Sequence, residues 1–560
     1  MGSLWARIKE ILRKMISGKT IETTLHVTPA VSNRMSNAIN LWSKMYKDEA
    51  PWLHDYNYKD KSVVLSMNLP AMIASEKARM VVLEMQSTIT APTEDVEKPN
   101  PAYKPPTINA FGVYEVSKEP EKLIESVPVG DTSRADYLND QYQRKVVRKL
   151  RKNMEYACAK GSMMIKPYVI MPSKTDNEDA VPQMEFDFIQ AEDIYPISFD
   201  ASGKITEVAF VQRIINKDTV YTRLEHHVLK GNTVTVTNKA FKSTNTNIDN
   251  DSQNEATDLG TEIPLTDVPQ WGSLTPEVKI SPVDRLLCAY FTMPEANTID
   301  PHSPLGVSCY SRAVNLIREA DKQFSRLIWE FEAGEAAVDI DQDALKTEVG
   351  ADGTRINVLP ERQERLFRKV DLGDESTYQP YFPTLRDGSL LNGLNALLMR
   401  IEDVCAVSRG TLSDPAAEAR TATELKILKQ RSYSANADIQ KALEETLRDL
   451  IYIMDTYCTL YNIVGDTPNV NGVIDNSNQG KYEVSFEWDD SIITDVDGEL
   501  GKRITLQNNG LASKIENRMW YFGETEAQAK EALQKIQDEN VSNMETNLAF
   551  TQSKVMPNAK

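Results

Sequence analysis

The sequence predicts an α+β protein that is mainly helical and includes one helix of about 40 residues. From residue 422 to residue 462, apolar or small residues recur in steps of three and four, from Leu425 to Leu460, and neither Pro nor Gly interrupts them. Between residues 163 and 236, shorter β-like runs alternate with turn residues. At roughly 150 residues per domain, the chain is long enough for about three or four folding units.

The elements before residue 300 are mixed. Helices are predicted over residues 1–20, 34–46, 70–85 and 137–160, the last of which is closed by Gly161 at its C-cap. Strands are predicted over residues 163–171, 183–189, 204–214, 220–229 and 233–236, with Gly231-Asn232 as the turn of a hairpin. Two polar stretches are predicted to be loops, the Pro-rich residues 89–111 and the residues 240–280, which are rich in Asn, Thr, Ser and Asp.

The elements after residue 300 are mostly helical. Pro304, Leu305 and Gly306 are expected to open a helix that Gly334 ends. Strand-like segments follow at residues 337–340, 354–359 and 366–370, and then a second helix over residues 389–407. The loop 408–421 precedes the long helix, a strand is predicted over residues 482–488, and helices over residues 500–508, 514–521 and 524–539.

The loop 408–421 is expected to be a real and mobile break between two helices. Pro415 cannot continue a helix without losing a hydrogen bond, and Gly410 adds backbone freedom. Arg409, Asp414, Glu418 and Arg420 make the segment polar with balanced charge. The same features are typical of an ordinary surface connection between helices, so both interpretations stay open at this point.

The charge of the chain argues against a tight DNA-binding protein. Its net charge is −19, whereas proteins that grip DNA concentrate Lys and Arg to displace counterions from the phosphates. No stretch approaches the roughly 20 apolar residues that cross a bilayer, and the basic N-terminus lacks the continuous apolar region of a secretion signal. The five scattered cysteines lack the close pairing of a zinc site or a disulfide framework. We therefore expect reduced thiols and no membrane segment.

No catalytic, metal-binding or cofactor-binding motif is present. The chain has no GxxxxGK[ST], GxSxG, HExxH or CxxC pattern, so we expect no catalytic residue, no metal and no cofactor. A group of carboxylates follows the strand at 482–488 and consists of Asp489, Asp490, Asp495, Asp497 and Glu499. Two-metal nucleases hold Mg²⁺ with such groups, but an acidic surface loop has the same composition. A metal-dependent nuclease is thus kept as a less favoured alternative.

The most basic segment lies on the helix predicted over residues 137–160. One broad face of this helix carries Arg144, Lys145, Arg148, Lys149 and Lys152. Val146, Leu150 and Met154 lie on the opposite face. The basic face could contact phosphates, pair with an acidic neighbouring subunit, or simply be solvated.

The order of elements from residue 301 onward resembles that of portal proteins of long-tailed phages, especially phages of Gram-positive hosts. The stretches that carry the resemblance are SPLGVSCYSRAVNLIREADKQFSRLIWEFEAGEAAVDI (303–340), PTLRDGSLLNGLNALLMRIEDVCAVSRGTLSD (383–414), TATELKILKQRSYSANADIQKALEETL (421–447), NNGLASKIENRMWYFGETEAQAKEALQKIQDE (508–539) and, near the N-terminus, VSNRMSNAINLWSKMYKDEAPWL (31–53). No single motif is specific, and the resemblance rests on the ordered set, which spans most of the chain.

The resemblance implies a portal fold, in which twelve subunits form a ring around a channel for double-stranded DNA. It implies a wing from residues 1–300, a first stem helix at 301–333, a clip at 334–383, a second stem helix at 384–407, a tunnel loop at 408–421, a long wing helix with a returning strand at 422–492, and a crown at 493–560. The tunnel loop would present Arg409, Ser413, Asp414, Pro415, Glu418 and Arg420 to the DNA.

The resemblance also implies a place and a set of partners. The protein would sit at the portal vertex of the virion capsid and reach it from the host cytoplasm during assembly. Its partners would be further copies of itself, the major capsid protein, the terminase large subunit, a neck or adaptor protein, a scaffolding protein, and DNA bound without sequence preference, with no membrane. A minor head protein without a channel is the alternative within the structural class.

Overall fold

A computed structural model of the chain describes residues 20–53, 63–83, 85–92, 94–99, 107–108, 114–115, 124–129, 132–170, 182–217, 219–243, 259–341, 345–349, 353–358, 366–370, 378–414, 422–461, 463, 479–488, 496–522, 528–530 and 532–536. The fold is mixed α+β, with helices and several sheets. The chain divides into two compact units, Met1–Glu487 and Trp488–Lys560. The helix predicted over residues 1–20 lies outside the described residues, apart from its last residue.

The α-helices are numbered here in chain order. They are α1 (Ile21–Leu25), α2 (Asn33–Tyr46), α3 (Leu69–Val82), α4 (Ser133–Gln141), α5 (Arg148–Lys160), α6 (Val314–Ala333), α7 (Asp387–Val404), α8 (Ala422–Tyr461), α9 (Val496–Asn508) and α10 (Lys514–Phe522). Helices α9 and α10 belong to the second unit. A π-helical segment, Tyr142–Val147, joins α4 to α5, so the helix predicted over 137–160 begins earlier and carries a π-bulge.

The strands are also numbered in chain order. They are β1 (Met85–Thr90), β2 (Glu94–Pro99), β3 (Thr107–Ile108), β4 (Tyr114–Glu115), β5 (Ile124–Val129), β6 (Ser162–Ile170), β7 (Gln183–Gln190), β8 (Ile194–Phe199), β9 (Ile205–Asn216), β10 (Thr219–Lys230), β11 (Thr233–Ser243), β12 (Thr261–Ile263), β13 (Glu277–Ile280), β14 (Ala289–Thr292), β15 (Ala337–Asp341), β16 (Lys346–Val349), β17 (Arg355–Val358), β18 (Phe367–Val370), β19 (Tyr378–Tyr381) and β20 (Glu483–Trp488). Met85, expected at the end of a helix, instead begins β1.

The largest sheet is antiparallel and has the order β12-β11-β10-β9-β8, with β13 also paired to β11. The predicted hairpin is confirmed, because Lys230 pairs with Thr233 across Gly231, which has the positive φ that this turn requires. One apolar cluster of this sheet contains Leu224, Phe241 and Leu259, and Ile21 of α1 packs into it. A second sheet, β14-β6-β7, packs against α8.

The prediction of a loop over residues 240–280 is wrong for much of that stretch. Strand β11 continues to Ser243, and β12 and β13 both add to it as antiparallel strands. Between them Leu265, Val268 and Trp271 form a buried cluster with Ala240. Because the stretch is mostly polar and its apolar residues are widely spaced, the sequence shows no pattern that predicts a buried element here. The burial of these residues depends on their tertiary contacts with the sheet.

The prediction of a loop over residues 89–111 is also wrong in part. Strand β2 pairs with β5 along its full length, and β3 pairs with β4, each as a two-stranded antiparallel ribbon. Pro99 and Pro128 both lie within the β2–β5 ribbon. A strand of a two-stranded ribbon has one edge without a ladder, so it tolerates a residue that lacks an N–H. The Pro-rich composition therefore did not exclude strands here.

Helix α5 ends at Gly161 because two backbones meet there. Gly161 has a φ of +92°, as a left-handed C-cap requires, and confirms the predicted helix end. A Cβ at Gly161 would clash with the backbone of Gly306, and a Cβ at Gly306 would clash with the carbonyl of Gly161. Both glycines are thus needed for the close contact between the end of α5 and the segment that precedes α6.

The second half of α8 is the most deeply buried helix surface of the described residues. Leu443, Leu447, Leu450, Ile451, Ile453, Met454 and Cys458 are fully buried. The buried polar residue Asp455 pairs with Arg134 of α4, whose Nη1 lies 3.0 Å from its Oδ1 and 3.2 Å from Oγ1 of Thr459. The backbone N–H of Gly480 donates to the other carboxylate oxygen over 2.8 Å. Because both ions are almost inaccessible to water, each depends on the other.

We predict that Arg134→Ala lowers the free energy of unfolding by about 3–5 kcal/mol, since it leaves the carboxylate of Asp455 buried without its cation. Urea denaturation of the purified protein measures the loss. The matched control is Arg79→Ala, which removes the exposed pair with Glu76 on α3 and is expected to cost less than about 1 kcal/mol. Equal effects of the two substitutions would contradict the assignment of a buried, interdependent pair.

Candidate functional site

Helices α6 and α7 form an antiparallel hairpin. The Gln323 side chain of α6 donates to the carbonyl of Leu390 of α7 over 3.3 Å. Two turns later on α6, Glu330 contacts Arg386 at the start of α7. Glu330 accepts the backbone N–H of Arg386 at 2.9 Å and its guanidinium at 3.1 and 2.7 Å. Gly334, which ends α6, lies so close to the side chain of Leu385 that a Cβ would clash with it. The end of the hairpin at which α6 and α7 are connected is therefore fixed at one point.

Small strands connect the two helices of the hairpin. Strand β15 pairs with β18 in parallel and with β19 in antiparallel orientation, and β16 pairs with β17. The three strand-like segments expected at 337–340, 354–359 and 366–370 coincide with β15, β17 and β18. The part of the chain between α6 and α7 is thus a separate β-element at the end of the hairpin.

Helix α6 begins at Val314, ten residues later than expected from Pro304. The preceding backbone is engaged in tertiary hydrogen bonds instead of helical ones. The N–H of Gly306 donates to Ser162 Oγ over 2.9 Å, and the N–H of Cys309 donates to the carbonyl of Cys158 over 2.9 Å. These contacts with β6 and α5 are formed between residues far apart in the chain, so a local pattern could not reveal them.

The first half of the predicted DNA-facing loop is held by side chains. The N–H of Ser413 and its hydroxyl donate to the two carboxylate oxygens of Glu402, over 2.9 and 2.7 Å. The N–H of Asp414 donates to Asn395 Oδ1 over 2.9 Å. Arg409 forms a two-pronged ion pair with Asp403, over 3.1 and 2.8 Å. Of the predicted loop residues, Pro415, Glu418 and Arg420 lie outside the described residues.

Glu402 is a functional candidate that no motif in the sequence predicts. This residue lies one helical turn after Leu398 on the face of α7 that buries Leu394, Leu398 and Ile401, and it is completely inaccessible to solvent. A carboxylate at an apolar position of a helix was the available signal, because a buried charge requires dedicated hydrogen-bond partners. The Glu330–Arg386 contact carried no comparable pattern in the sequence.

Most of the predicted basic face is exposed. Lys145 is the exception, because its ammonium group binds Glu185 at 2.7 Å and the carbonyl of Met184 at 2.6 Å. Arg144 forms an exposed ion pair with Asp140, and Lys152 lies over the ring of Tyr156. Arg148 and Lys149 are exposed, and neither forms an ion pair with any residue that the structure describes. The apolar side of the helix, with Val146, Leu150 and Met154, is buried as predicted.

Large apolar side chains are exposed along the hairpin and at its end. The exposed fractions are 60% for Trp329, 48% for Phe331, 68% for Phe382 and 47% for Leu391. Large apolar side chains that a folded protein leaves exposed close together in the chain often mark a contact with another molecule. Trp329 and Phe331 lie in the last turns of α6, and Phe382 lies between β19 and α7, so these three exposed side chains all lie near the end of the hairpin.

The structure does not describe the carboxylate side chains of the nuclease alternative, which are those of Asp489, Asp490, Asp495, Asp497 and Glu499. Within the part of the chain that the structure describes, no three His, Cys, Asp or Glu side chains are grouped as a metal site would require. No helix among these residues is long and apolar enough to cross a membrane. All five cysteines are buried.

The comparison with protein families decides the class of the protein. Residues 32–545 match the profile of one family, which is described as phage portal protein, SPP1 Gp6-like. The chain belongs to this phage portal protein family. The match includes the α6–α7 hairpin, residues 408–414 and the long helix α8. Portal proteins are structural proteins rather than enzymes. A search of curated protein sequences found no match.

Acid should weaken the contact between Glu330 and Arg386 that joins the two helices of the hairpin in this portal protein. Hydrogen bonds from the Arg386 guanidinium and backbone hold the pKa of Glu330 at about 2, below its ordinary value of 4.5. When folding lowers the pKa of a carboxyl group, its charged form stabilises the folded protein at every pH above the pKa that the group has in the unfolded chain. This stabilisation is lost as the pH falls through the lower pKa of the folded protein. The stabilisation is therefore complete near neutral pH and disappears between about pH 4.5 and pH 2.

We predict that Glu330→Gln destabilises the protein near neutral pH and that its difference from the wild type shrinks as the pH falls towards about 3. Denaturant midpoints measured across this range test the prediction. Glu319→Gln on the same helix is the control, because Glu319 is solvent-exposed and its pairing with Lys322 should contribute little. A difference that stays constant with pH would show that the charge of Glu330 is not the cause.

Proposed function

We propose that the protein forms a ring at one vertex of a phage capsid, twelve-fold in the virion, with a channel through which double-stranded DNA passes during packaging and ejection. The observation that carries this proposal is the exposed apolar surface at the end of the α6–α7 hairpin in a chain of the portal family. A closed ring needs two different complementary surfaces on each subunit, and an apolar surface that the subunit leaves exposed supplies one of them.

The proposal assigns a role to each segment. Residues 1–300 form the wing, 301–333 and 384–407 the stem, 334–383 the clip, 408–421 the tunnel loop, 422–492 the long wing helix with its returning strand, and 493–560 the crown. The hairpin supports the assignment of the stem, because two antiparallel helices fixed at Glu330–Arg386 make a rigid strut. The β-element between them supports that of the clip, since it extends from the end of the strut.

The DNA-facing surface is proposed to confine DNA without holding it. A net charge of −19 repels phosphates over most of the chain. In the tunnel loop, Arg409 is already paired with Asp403, which reduces its attraction for a phosphate. A channel lined in this way lets DNA move past with little friction. Arg409 and Asp414, with Pro415, Glu418 and Arg420, are the proposed lining residues, whereas Ser413, predicted to face the DNA, is buried against Glu402 and does not line the channel.

The proposed partners follow from the place at the capsid vertex. They are further copies of the chain, the major capsid protein, a scaffolding protein, the terminase large subunit and a neck or adaptor protein. The last two are proposed to dock at the clip, where the chain exposes Tyr378 and Phe382. The protein would reach the virion from the host cytoplasm, without a cofactor and without a membrane partner.

We predict that Trp329→Glu impairs ring formation, because it places a charge in a surface that assembly would bury. Mass photometry of the purified full-length protein should show rings for the wild type and a shift towards monomers for the variant. Ile215→Glu is the matched control, since Ile215 is exposed to a similar extent but lies on β9 in the largest sheet. Wild-type protein that remains monomeric would favour a minor head protein without a channel.

We predict that rings bind linear duplex DNA weakly and without sequence preference, and that Arg148→Glu/Lys149→Glu weakens this residual binding. Each lost phosphate contact should reduce the slope of log K against log salt by about 1. Filter-binding titrations at several salt concentrations measure both quantities. Lys204→Glu/Lys279→Glu makes the same change in net charge elsewhere on the exposed surface.

An equal loss of DNA binding in this control pair would show that only net charge matters and that the basic face is solvated or contacts protein. Nanomolar, sequence-selective DNA binding by the wild type would contradict the proposal that the channel confines DNA without holding it.

A further inference from the structure

The last turn of α7 contains a carboxylate that is buried without a cation. Glu402 is fully inaccessible to solvent, and no described Lys, Arg or His forms an ion pair with it. Its oxygens accept instead the N–H of Leu412 at 2.6 Å, the N–H of Ser413 at 2.9 Å and the Ser413 hydroxyl at 2.7 Å. A buried charge is stable only with such a set of donors, so the donors must stay in place for the helix end to remain packed.

The backbone between Glu402 and these donors folds back tightly. The N–H of Val407 donates to the carbonyl of Glu402 over 2.9 Å. Ala406 has a φ of +50°, in the left-handed region that disfavours a residue with a Cβ. Ser413 Oγ also accepts the N–H of Gly410 at 3.3 Å, and Gly410 has a φ of +84°. The segment 408–414 is therefore a compact turn, closed by its own hydrogen bonds and by Glu402.

A buried lysine holds the end of α7 just before this turn. The ammonium group of Lys77, on α3, donates to the carbonyl of Ala406 over 2.7 Å and to Asn436 Oδ1 of α8 over 3.2 Å. Lys77 and Asn436 are both buried, and burial lowers the pKa of Lys77. The carbonyls at the end of a helix carry partial negative charge, which suits an ammonium group at this position. One side chain thus ties together α3, the end of α7 and α8.

We infer that Glu402 and Lys77 are positioning residues that fix Ser408–Asp414 on the end of α7, so that the first half of the tunnel loop keeps its place on the second stem helix while DNA moves past. This inference rests on the proposed function, because it concerns a loop that is proposed to face DNA. The fixed turn transmits the position of the stem helix to that half of the loop.

The test combines hydrogen exchange with DNA packaging, both on the full-length protein in assembled rings. In the wild type, the amides of Leu412 and Ser413 should exchange slowly, although they lie in a turn. Glu402→Ala should speed their exchange by about tenfold to a hundredfold, as expected for the loss of hydrogen bonds to a charged acceptor. Rings should still form, and the fraction of DNA-filled capsids in a phage complementation assay should fall.

Three further variants separate positioning from general damage. Glu402→Gln keeps one carbonyl oxygen for the two N–H groups and can donate to Ser413 Oγ, so it should retain much of the protection and of the packaging. Ser413→Ala removes only the hydroxyl and should give an intermediate loss even if Glu402→Ala fails to fold. Glu319→Gln removes an exposed ion pair with Lys322 on α6, away from the turn, and should change neither readout.

The outcomes distinguish this inference from the proposed function. Fast exchange of Leu412 and Ser413 in wild-type rings would overturn the anchored turn while leaving the portal assignment intact. Normal packaging by Glu402→Ala or Ser413→Ala rings with a released turn would overturn the positioning role. Wild-type protein that forms no rings would instead overturn the proposed function.

Discussion

The buried ion pair between Arg134 and Asp455 attaches α4 to the most deeply buried part of α8. The surrounding turns of α8 are buried on nearly all sides, and a helix in that position must satisfy each of its polar groups within the protein. Arg134 satisfies Asp455, and Thr446 donates to the carbonyl of Tyr290 in β14 over 3.2 Å. These polar contacts fix the rotation of α8 in a way that apolar packing alone does not.

Once α8 is fixed, the elements around it become a frame for the hairpin. Arg285, which lies just before β14, forms an ion pair with Asp449 of α8 at 2.7 Å. Its guanidinium also stacks over the ring of Tyr452. Lys77 connects an earlier position of α8, Asn436, to the end of α7. The α6–α7 hairpin is thereby attached to a rigid helix at the end of α7.

The sequence predicts the elements that local residues determine, but it does not predict those that depend on contacts between residues far apart in the chain. The three-four periodicity of residues 422–462 and the structure's helix Ala422–Tyr461 coincide, because a helix without Gly or Pro is encoded by its own residues. The start of α6 was misplaced, since Gly306 and Cys309 donate to residues about 150 positions earlier. The strands β12 and β13 were missed because their residues are mostly polar and gain order from pairing with β11.

The same distinction applies to the candidate site. Pro415 and Gly410 signalled a break in the helix, but the anchor at Glu402 is a contact between side chain and backbone that no spacing rule encodes. Cryo-electron microscopy of the assembled protein tests the proposed channel most directly. We expect a closed ring in which α6 and α7 surround the axis and the turn Ser408–Asp414 faces the channel. Particles without a central channel, or a ring with this turn on its outer surface, would contradict this expectation.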